Sequence, residues 1–265
     1  KRQNVPAKIM TPIEAQVNIM RMHMKFLVTA LDFPLVKLPS YIIDEKTTPA
    51  TVAAMLRRDW NINEPVIGEL IPMLEERNIL VHSFDFGTSR VDSKSMLADN
   101  GSPIIFLNSS LQGDRQRFSL AYELGHLLMH TFNSVSYERD ISHEANLFAA
   151  EFLMPADEIR KDFEKGITIP LLGELKRKWK VSMIALLYRA DDLGMMTANQ
   201  KRYLVQQFNQ LRIRRREPQE LDIPVEQPTL VKKLLEDYRK QKKLGMEEMA
   251  ALLSLQVSEY MELYQ

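Results

Sequence analysis

Apolar side chains recur at helical spacing along the first third of the chain. In the first stretch, Thr11 and Pro12 are typical of a helix start, and the apolar positions after them predict an amphipathic helix over 11–31. Those positions are Val17, Met20, Met24 and Leu27. Two further helices, each opened by a proline, are predicted over 48–60 and 65–77.

The pattern then changes to short β-prone runs. These runs cover 79–86, 95–98 and 103–107, and the letters D-N-G-S at 99–102 separate the last two. Turn-forming residues between two such runs are typical of a β-hairpin. We therefore expect a small, largely antiparallel sheet.

From Asp114, a predicted N-cap, helical periodicity continues almost to the end of the chain. Breaks are expected near residues 155, 166–170, 194 and 218–228. The last break combines prolines with acidic residues, so we interpret it as a linker before a final helical segment. The C-terminal part is expected to be mainly helical.

The composition limits the chemistry that these elements could carry. The chain has 265 residues, 45% of them hydrophobic, which suffices for one large domain or two smaller ones. It has no cysteine, so any metal must be held by His, carboxylate or phenol groups, and the cytoplasm is the expected compartment. No run has the length of a membrane span or the pattern of a signal peptide, so no membrane partner is expected.

Charge gives little indication of a partner. Lysine plus arginine and aspartate plus glutamate each total 35, so no overall field draws the chain to nucleic acid. Basic clusters over 212–216 and 232–243 are flanked by acidic residues, and we interpret them as solvated helix faces. Met20, Met22 and Met24 are interpreted as core or dimer contacts, so a homodimer is one expected assembly.

The segment 121–130 reads A-Y-E-L-G-H-L-L-M-H and resembles a metal-binding helix. In the zincin pattern H-E-x-x-H, two histidines one turn apart bind zinc and the glutamate between them activates water. Here Tyr122 stands at the first ligand position, Glu123 at that of the general base and His126 at that of the second ligand. Taken alone, E-x-x-H is a weak signal that also fits a helix with a structural histidine.

A second helical segment, E-A-N-L-F-A-A-E-F-L-M-P over 144–155, makes the metal site more specific. A zincin of the Glu-ligand type takes its third ligand from a helix packed against the first, and Glu144 is placed to be that ligand. Glu151, two turns later, is either a competing ligand, a partner that orients one, or a solvated surface carboxylate.

The strings R-F-S-L-A-Y-E-L-G-H-L-L-M-H and E-A-N-L-F-A-A-E-F-L-M-P together resemble the ImmA/IrrE family of metallopeptidases. The similarity covers about 50–165, with a looser likeness further on. It implies an α+β fold with a zincin-like core, a small three-stranded sheet and a helical C-terminal region. It divides the chain into a linker helix and connector (1–45), the ImmA/IrrE-like zincin domain (46–165), a helical extension (166–217), and a linker with a C-terminal helical segment (218–265).

The resemblance also implies a function and partners. It suggests a domain of a transcriptional regulator or of a stress or phage response protein, which acts on a repressor-type protein or peptide in its cleft. Longer members carry a helix-turn-helix domain ahead of this one, so contact with DNA is expected only through a domain upstream of Lys1. Carried over by position, the family pattern makes Glu123 catalytic and His126 and Glu144 metal ligands.

Tyr122 departs from that pattern. A phenol binds zinc well only as phenolate, and its usual pKa is about 10, so zinc affinity should be weakened or lost. Two hypotheses remain. In the one that we favour, Tyr122 fills the pocket of an inactive, regulatory domain; in the other, Tyr122 binds zinc as phenolate and the domain is an active zinc endopeptidase with Glu123 as general base. His130, one turn after His126, is an alternative ligand that we interpret as structural.

Overall fold

The computed structural model describes residues 5–132, 138–214 and 216–264. Lys1, and Arg215 of the predicted basic cluster, lie outside these ranges. In chain order the helices are α1 (Ala7–Ala30), α2 (Pro49–Asp59), α3 (Leu70–Glu75), α4 (Gly113–Met129), α5 (Ile141–Leu153), α6 (Ala156–Phe163), α7 (Ile169–Trp179), α8 (Met183–Asp192), α9 (Ala198–Gln210), α10 (Leu230–Lys242), α11 (Met246–Leu252) and α12 (Val257–Tyr264). The strands are β1 (Leu80–Phe84), β2 (Ser93–Leu97) and β3 (Pro103–Asn108). The predicted α+β class with a small three-stranded sheet is confirmed.

These elements divide into two compact units that are interleaved in sequence. The first combines the chain up to Pro39 with Ile71–Ser110 and the residues from Gln227 onward. The second combines Ser40–Leu70 with Leu111–Glu226. The division into four consecutive segments, made from the sequence, stays a prediction.

The sheet lies in the first unit and has the order β1-β3-β2. The predicted hairpin is confirmed, because β2 and β3 are antiparallel and Gly101 takes φ +89 in the turn between them. The expectation of a largely antiparallel sheet is wrong for β1, which runs parallel to β3. Local pattern identifies a strand but does not choose its neighbour, and here the wholly buried β3 pairs on both sides.

The core of the first unit includes the predicted apolar face of α1. Val17, Met20, Met24 and Leu27 are all buried. α1 begins at Ala7, earlier than predicted, and Pro12 lies inside it. Met22 is 60% exposed, so of the three methionines predicted as core or dimer contacts, Met20 and Met24 are the core residues.

The second unit is built around α4, with α5 packed directly against it and α2 against both. α4 begins at Gly113 rather than at a cap on Asp114. The carboxylate of Asp114 instead accepts a buried hydrogen bond of 2.5 Å from Nζ of Lys176. The predicted N-cap is therefore wrong, because a long-range ion pair uses the same side chain.

The segment predicted as a linker is tied to the start of α4. The amide of Gln116 donates to the carbonyl of Glu226 and accepts from its N–H, at 2.8 and 2.9 Å. Arg117, 2% exposed, forms an ion pair with the Glu226 carboxylate at 2.8 Å. A Cβ on Gly113 would lie 2.2 Å from the carbonyl oxygen of Ile223, so the segment can approach only a glycine.

In the described part of the chain no helix meets the length and hydrophobicity needed to cross a bilayer.

Candidate functional site

Three rings follow one another along a face of α4 and its C-terminal end. Tyr122, His126 and His130 are spaced by one helical turn, so their side chains project to the same side. The ring centroids of Tyr122 and His126 are 4.7 Å apart, and those of His126 and His130 are 4.9 Å apart. Glu123 lies next to Tyr122 and is 4% exposed. The sequence pattern therefore does build a continuous polar row on this helix.

The hydroxyl of Tyr122 reaches the neighbouring helix. It shares a hydrogen bond of 2.9 Å with the Ser142 hydroxyl, in the first turn of α5. Asp140 is the N-cap of α5, because its carboxylate accepts from the backbone N–H of His143 at 3.0 Å. The phenol thus connects α4 to α5 through this hydrogen bond with Ser142.

His126, His130 and Glu144 form a chain of hydrogen bonds. Nδ1 of His126 and Nδ1 of His130 are 2.9 Å apart, and Nε2 of His130 is 2.9 Å from Oε2 of Glu144. Burial lowers the pKa of His130, against the opposing hydrogen bond to Glu144, so the ring is neutral near pH 7.

The neutral ring fixes the direction of these bonds. Because a carboxylate only accepts, His130 must donate from Nε2 to Glu144 and accept at Nδ1. His126 then donates from Nδ1, and its own lone pair lies on Nε2, the other ring nitrogen.

Glu144 has a second partner that the sequence did not indicate. Nε and one terminal nitrogen of Arg139 donate to its two carboxylate oxygens at 2.8 and 2.5 Å. Burial alone would raise the pKa of Glu144, but the hydrogen bonds from Arg139 and His130 outweigh burial and leave that pKa lowered. The carboxylate is therefore ionised and already neutralised by a protein cation.

Glu151 lies in a different contact. Its carboxylate forms an ion pair with Arg189 of α8 and accepts the backbone N–H of Ala156 at 3.2 Å, at the start of α6. Arg189 also donates to the carbonyl of Met154 at 2.9 Å. The structure therefore places Glu151 in a contact between helices, while Tyr122, His126 and Glu144 lie together through Ser142 and His130.

A bound zinc ion in a zincin needs three protein ligands with available lone pairs. Within the described ranges, no three His, Asp or Glu side chains are arranged so that they could hold one metal ion. Tyr122 is hydrogen-bonded to Ser142, and Glu144 is neutralised by Arg139, so both must change partners before they could bind a cation. His126, with its lone pair on Nε2, is the one predicted ligand whose hydrogen bonding suits zinc. As arranged here, the residues do not fit a zinc site.

Arg139 is a contact of this site that the sequence did not indicate. It lies five residues before Glu144, outside any helix, so no periodicity relates the two. The only signal was its position just ahead of the predicted ligand helix.

Comparison with known proteins finds similar sequences over the part of the chain that contains α4 and α5. Residues 74–191 match the family profile described as the IrrE N-terminal-like domain, Peptidase M78. Over 126 residues the chain is 31% identical to the radiation response metalloprotease IrrE of Deinococcus radiodurans. That match covers 40% of this chain and only 38% of the length of the relative. The family is of the zinc metallopeptidase type. Residues 74–191 therefore resemble the IrrE N-terminal-like domain of metallopeptidase-like proteins.

Proposed function

We propose that this domain is a regulatory binding module on a metallopeptidase scaffold, with a zinc site too weak to support peptide hydrolysis. The observation that carries the proposal is the hydrogen bond between Tyr122 and Ser142. It keeps a neutral phenol at the position where the family has a histidine ligand.

The energetics favour the phenol over a phenolate. An ordinary tyrosine has a pKa of about 10, so near pH 7 a metal must displace the proton as well as the Ser142 contact. Glu144, the other oxygen donor, would have to leave Arg139. Each exchange subtracts from the free energy of metal binding, and the two costs apply together.

The regulatory role and its partners follow from the family likeness. We infer that the domain binds a repressor-type protein or peptide in the cytoplasm and takes part in transcriptional or stress control. Contact with DNA would come through another domain of the intact protein. A homodimer is a further proposal, for which the 60% exposed Met22 on α1 is a candidate contact.

A second candidate function is zinc-dependent cleavage of such a partner. One observation favours it: the bond from His126 to His130 leaves the lone pair of His126 on Nε2, as in a zinc ligand. Glu123 is also retained at the general-base position.

Metal content separates the two functions. We expect the full chain, dialysed and measured by mass spectrometry, to hold well under one zinc per molecule, and Tyr122→His to bind zinc more tightly. Tyr203→His is a matched control, because Tyr203 is a 62% exposed tyrosine on α9. Two results together would establish the enzyme instead. The wild type would hold stoichiometric zinc that His126→Ala loses, and it would have a peptidase activity that Glu123→Gln loses.

A further inference from the structure

We propose that Arg139 supplies, within this domain, the positive charge that a metal ion supplies in a zincin, and so holds Glu144 in place without metal. The inference rests on the proposed function, since it concerns the same site in its metal-free state. It assigns to Arg139 a role that neither helix motif contains.

The geometry is that of a guanidinium fork on a carboxylate. Two nitrogens of Arg139 each donate to a different oxygen of Glu144, at 2.8 and 2.5 Å. Paired contacts of this kind are stronger and more directional than a single-point ion pair. The side chains are 24% and 15% exposed, so solvent screens the pair only in part.

Arg139 is the group that balances the negative charge of Glu144. His130, the other group that touches the carboxylate, contacts it through one ring nitrogen at 2.9 Å, whereas Arg139 contacts both carboxylate oxygens. Arg189, a buried cation on α8, is paired with Glu151 instead. Within the described ranges, Arg139 is the cation in contact with Glu144.

The ion pair also connects the elements that a metal would connect. The guanidinium of Arg139 contacts Glu144 on α5, and Glu144 contacts His130 at the end of α4. His130 is in turn hydrogen-bonded to His126. A metal ion held by His126 and Glu144 would join the same two helices. Arg139 thus preserves the connection and competes with any cation for the same carboxylate.

Charge compensation and simple anchoring of a loop give different results in a double-mutant cycle. If Arg139 compensates the charge of Glu144, loss of the arginine destabilises the protein chiefly because a partly buried, unpaired carboxylate remains. Removing that carboxylate charge should then restore stability. If Arg139 only anchors its loop, removal of the second partner brings no recovery.

The experiment compares the full chain with Arg139→Gln, Glu144→Gln and the double variant, in EDTA, by thermal unfolding. We expect Arg139→Gln to lower the melting temperature by roughly 3–8 °C and the double variant to recover at least about half of that loss. Arg202→Gln, at an exposed arginine of α9, is the matched control and should change the value by under about 1 °C. An unchanged melting temperature in Arg139→Gln, or no recovery in the double variant, overturns the inference.

A second measurement uses zinc alone as the probe. By calorimetry, Tyr122→His combined with Arg139→Gln should bind zinc about 10-fold more tightly than Tyr122→His by itself, because Glu144 is released. Equal affinity overturns the inference. Stoichiometric zinc in the wild type would instead contradict the proposed function, whereas a metal-free wild type with no effect of Arg139→Gln contradicts only the role of Arg139.

Discussion

The aromatic ring of Phe148 lies directly against Gly125. A Cβ atom added at Gly125 would be 2.8 Å from Cδ1 of Phe148 and 3.1 Å from Cγ. Phe148 is fully buried between α5 and α4, so its ring has little room to move. The glycine of the E-L-G-H segment therefore sets how closely the two helices approach, and with it the contacts of His126 and Glu144.

Replacing Gly125 with alanine should destabilise the protein. Alanine is the better helix former by about 1 kcal/mol, but overpacking against a buried ring costs about 1–3 kcal/mol, so the net change is a loss. The free energy of unfolding, measured with urea, checks this. Gly68→Ala is the control, because a Cβ there meets nothing within 4 Å. A stability equal to or above wild type in Gly125→Ala would contradict the packing argument.

Lys176 should be a strong determinant of stability in the second unit. It is 1% exposed and donates to Asp114 at 2.5 Å and Glu217 at 2.7 Å. Burial by itself would lower the pKa of Lys176, but the two carboxylates outweigh it and leave the pKa raised. Lys176→Met would leave two buried carboxylates without their cation and should cost roughly 3–5 kcal/mol in urea unfolding. Lys178→Met, two residues on, removes an exposed pair with Asp162 and should cost under about 1 kcal/mol. Similar losses in the two variants would refute the assignment.

His82 should make the first unit sensitive to acid. It is 6% exposed on β1, its ring centroid is 5.2 Å from that of Tyr264, and its Nε2 has no hydrogen-bond partner among the described residues. Burial lowers the pKa of His82 from 6.5 to about 4, although a hydrogen bond to the backbone of Leu263 opposes the shift. The unfolded chain therefore takes up a proton at higher pH than the folded chain does.

The pH dependence of stability follows from this difference in pKa between the folded and unfolded chain. The contribution of His82 is fully present above pH 6.5 and is lost as the pH falls toward about 4, by about 3 kcal/mol in total. Urea unfolding at about pH 7 and about pH 4.5 measures the loss, and His82→Leu should reduce it. His143→Leu, at an exposed histidine, should retain the wild-type pH dependence. An unchanged pH dependence in His82→Leu would show that His82 is not responsible.

Glu151 should affect stability and leave metal binding unchanged. Its carboxylate is paired with Arg189, whose side chain is 5% exposed, so Glu151→Gln should lower the free energy of unfolding by roughly 3 kcal/mol. In the Tyr122→His background the same change should not alter zinc affinity. Glu158→Gln, which removes only an exposed pair with Lys161, is the stability control. A loss of zinc affinity would instead make Glu151 a ligand or a partner that orients one.

The elements could be predicted where the signal is local. The hairpin of β2 and β3 follows from turn chemistry over 99–102, and α4 and α5 follow from helical periodicity. Other features could not be predicted in this way. The parallel partner of β1 and the attachment of Glu226 to Gln116 join residues more than twenty positions apart, and no periodicity relates such pairs.

By itself the sequence indicated the resemblance to the family and the predicted ligand positions, with Tyr122 as the exception, because residue types at one-turn spacing on a helix need no knowledge of distant contacts. It placed Tyr122, His126 and Glu144 on two adjacent helices. Only the tertiary structure decided what these groups touch: Ser142 for the phenol, Arg139 and His130 for the carboxylate. The physical reason is that hydrogen bonds act over about 3 Å, so partner choice depends on how the helices pack and not on their spacing in the chain.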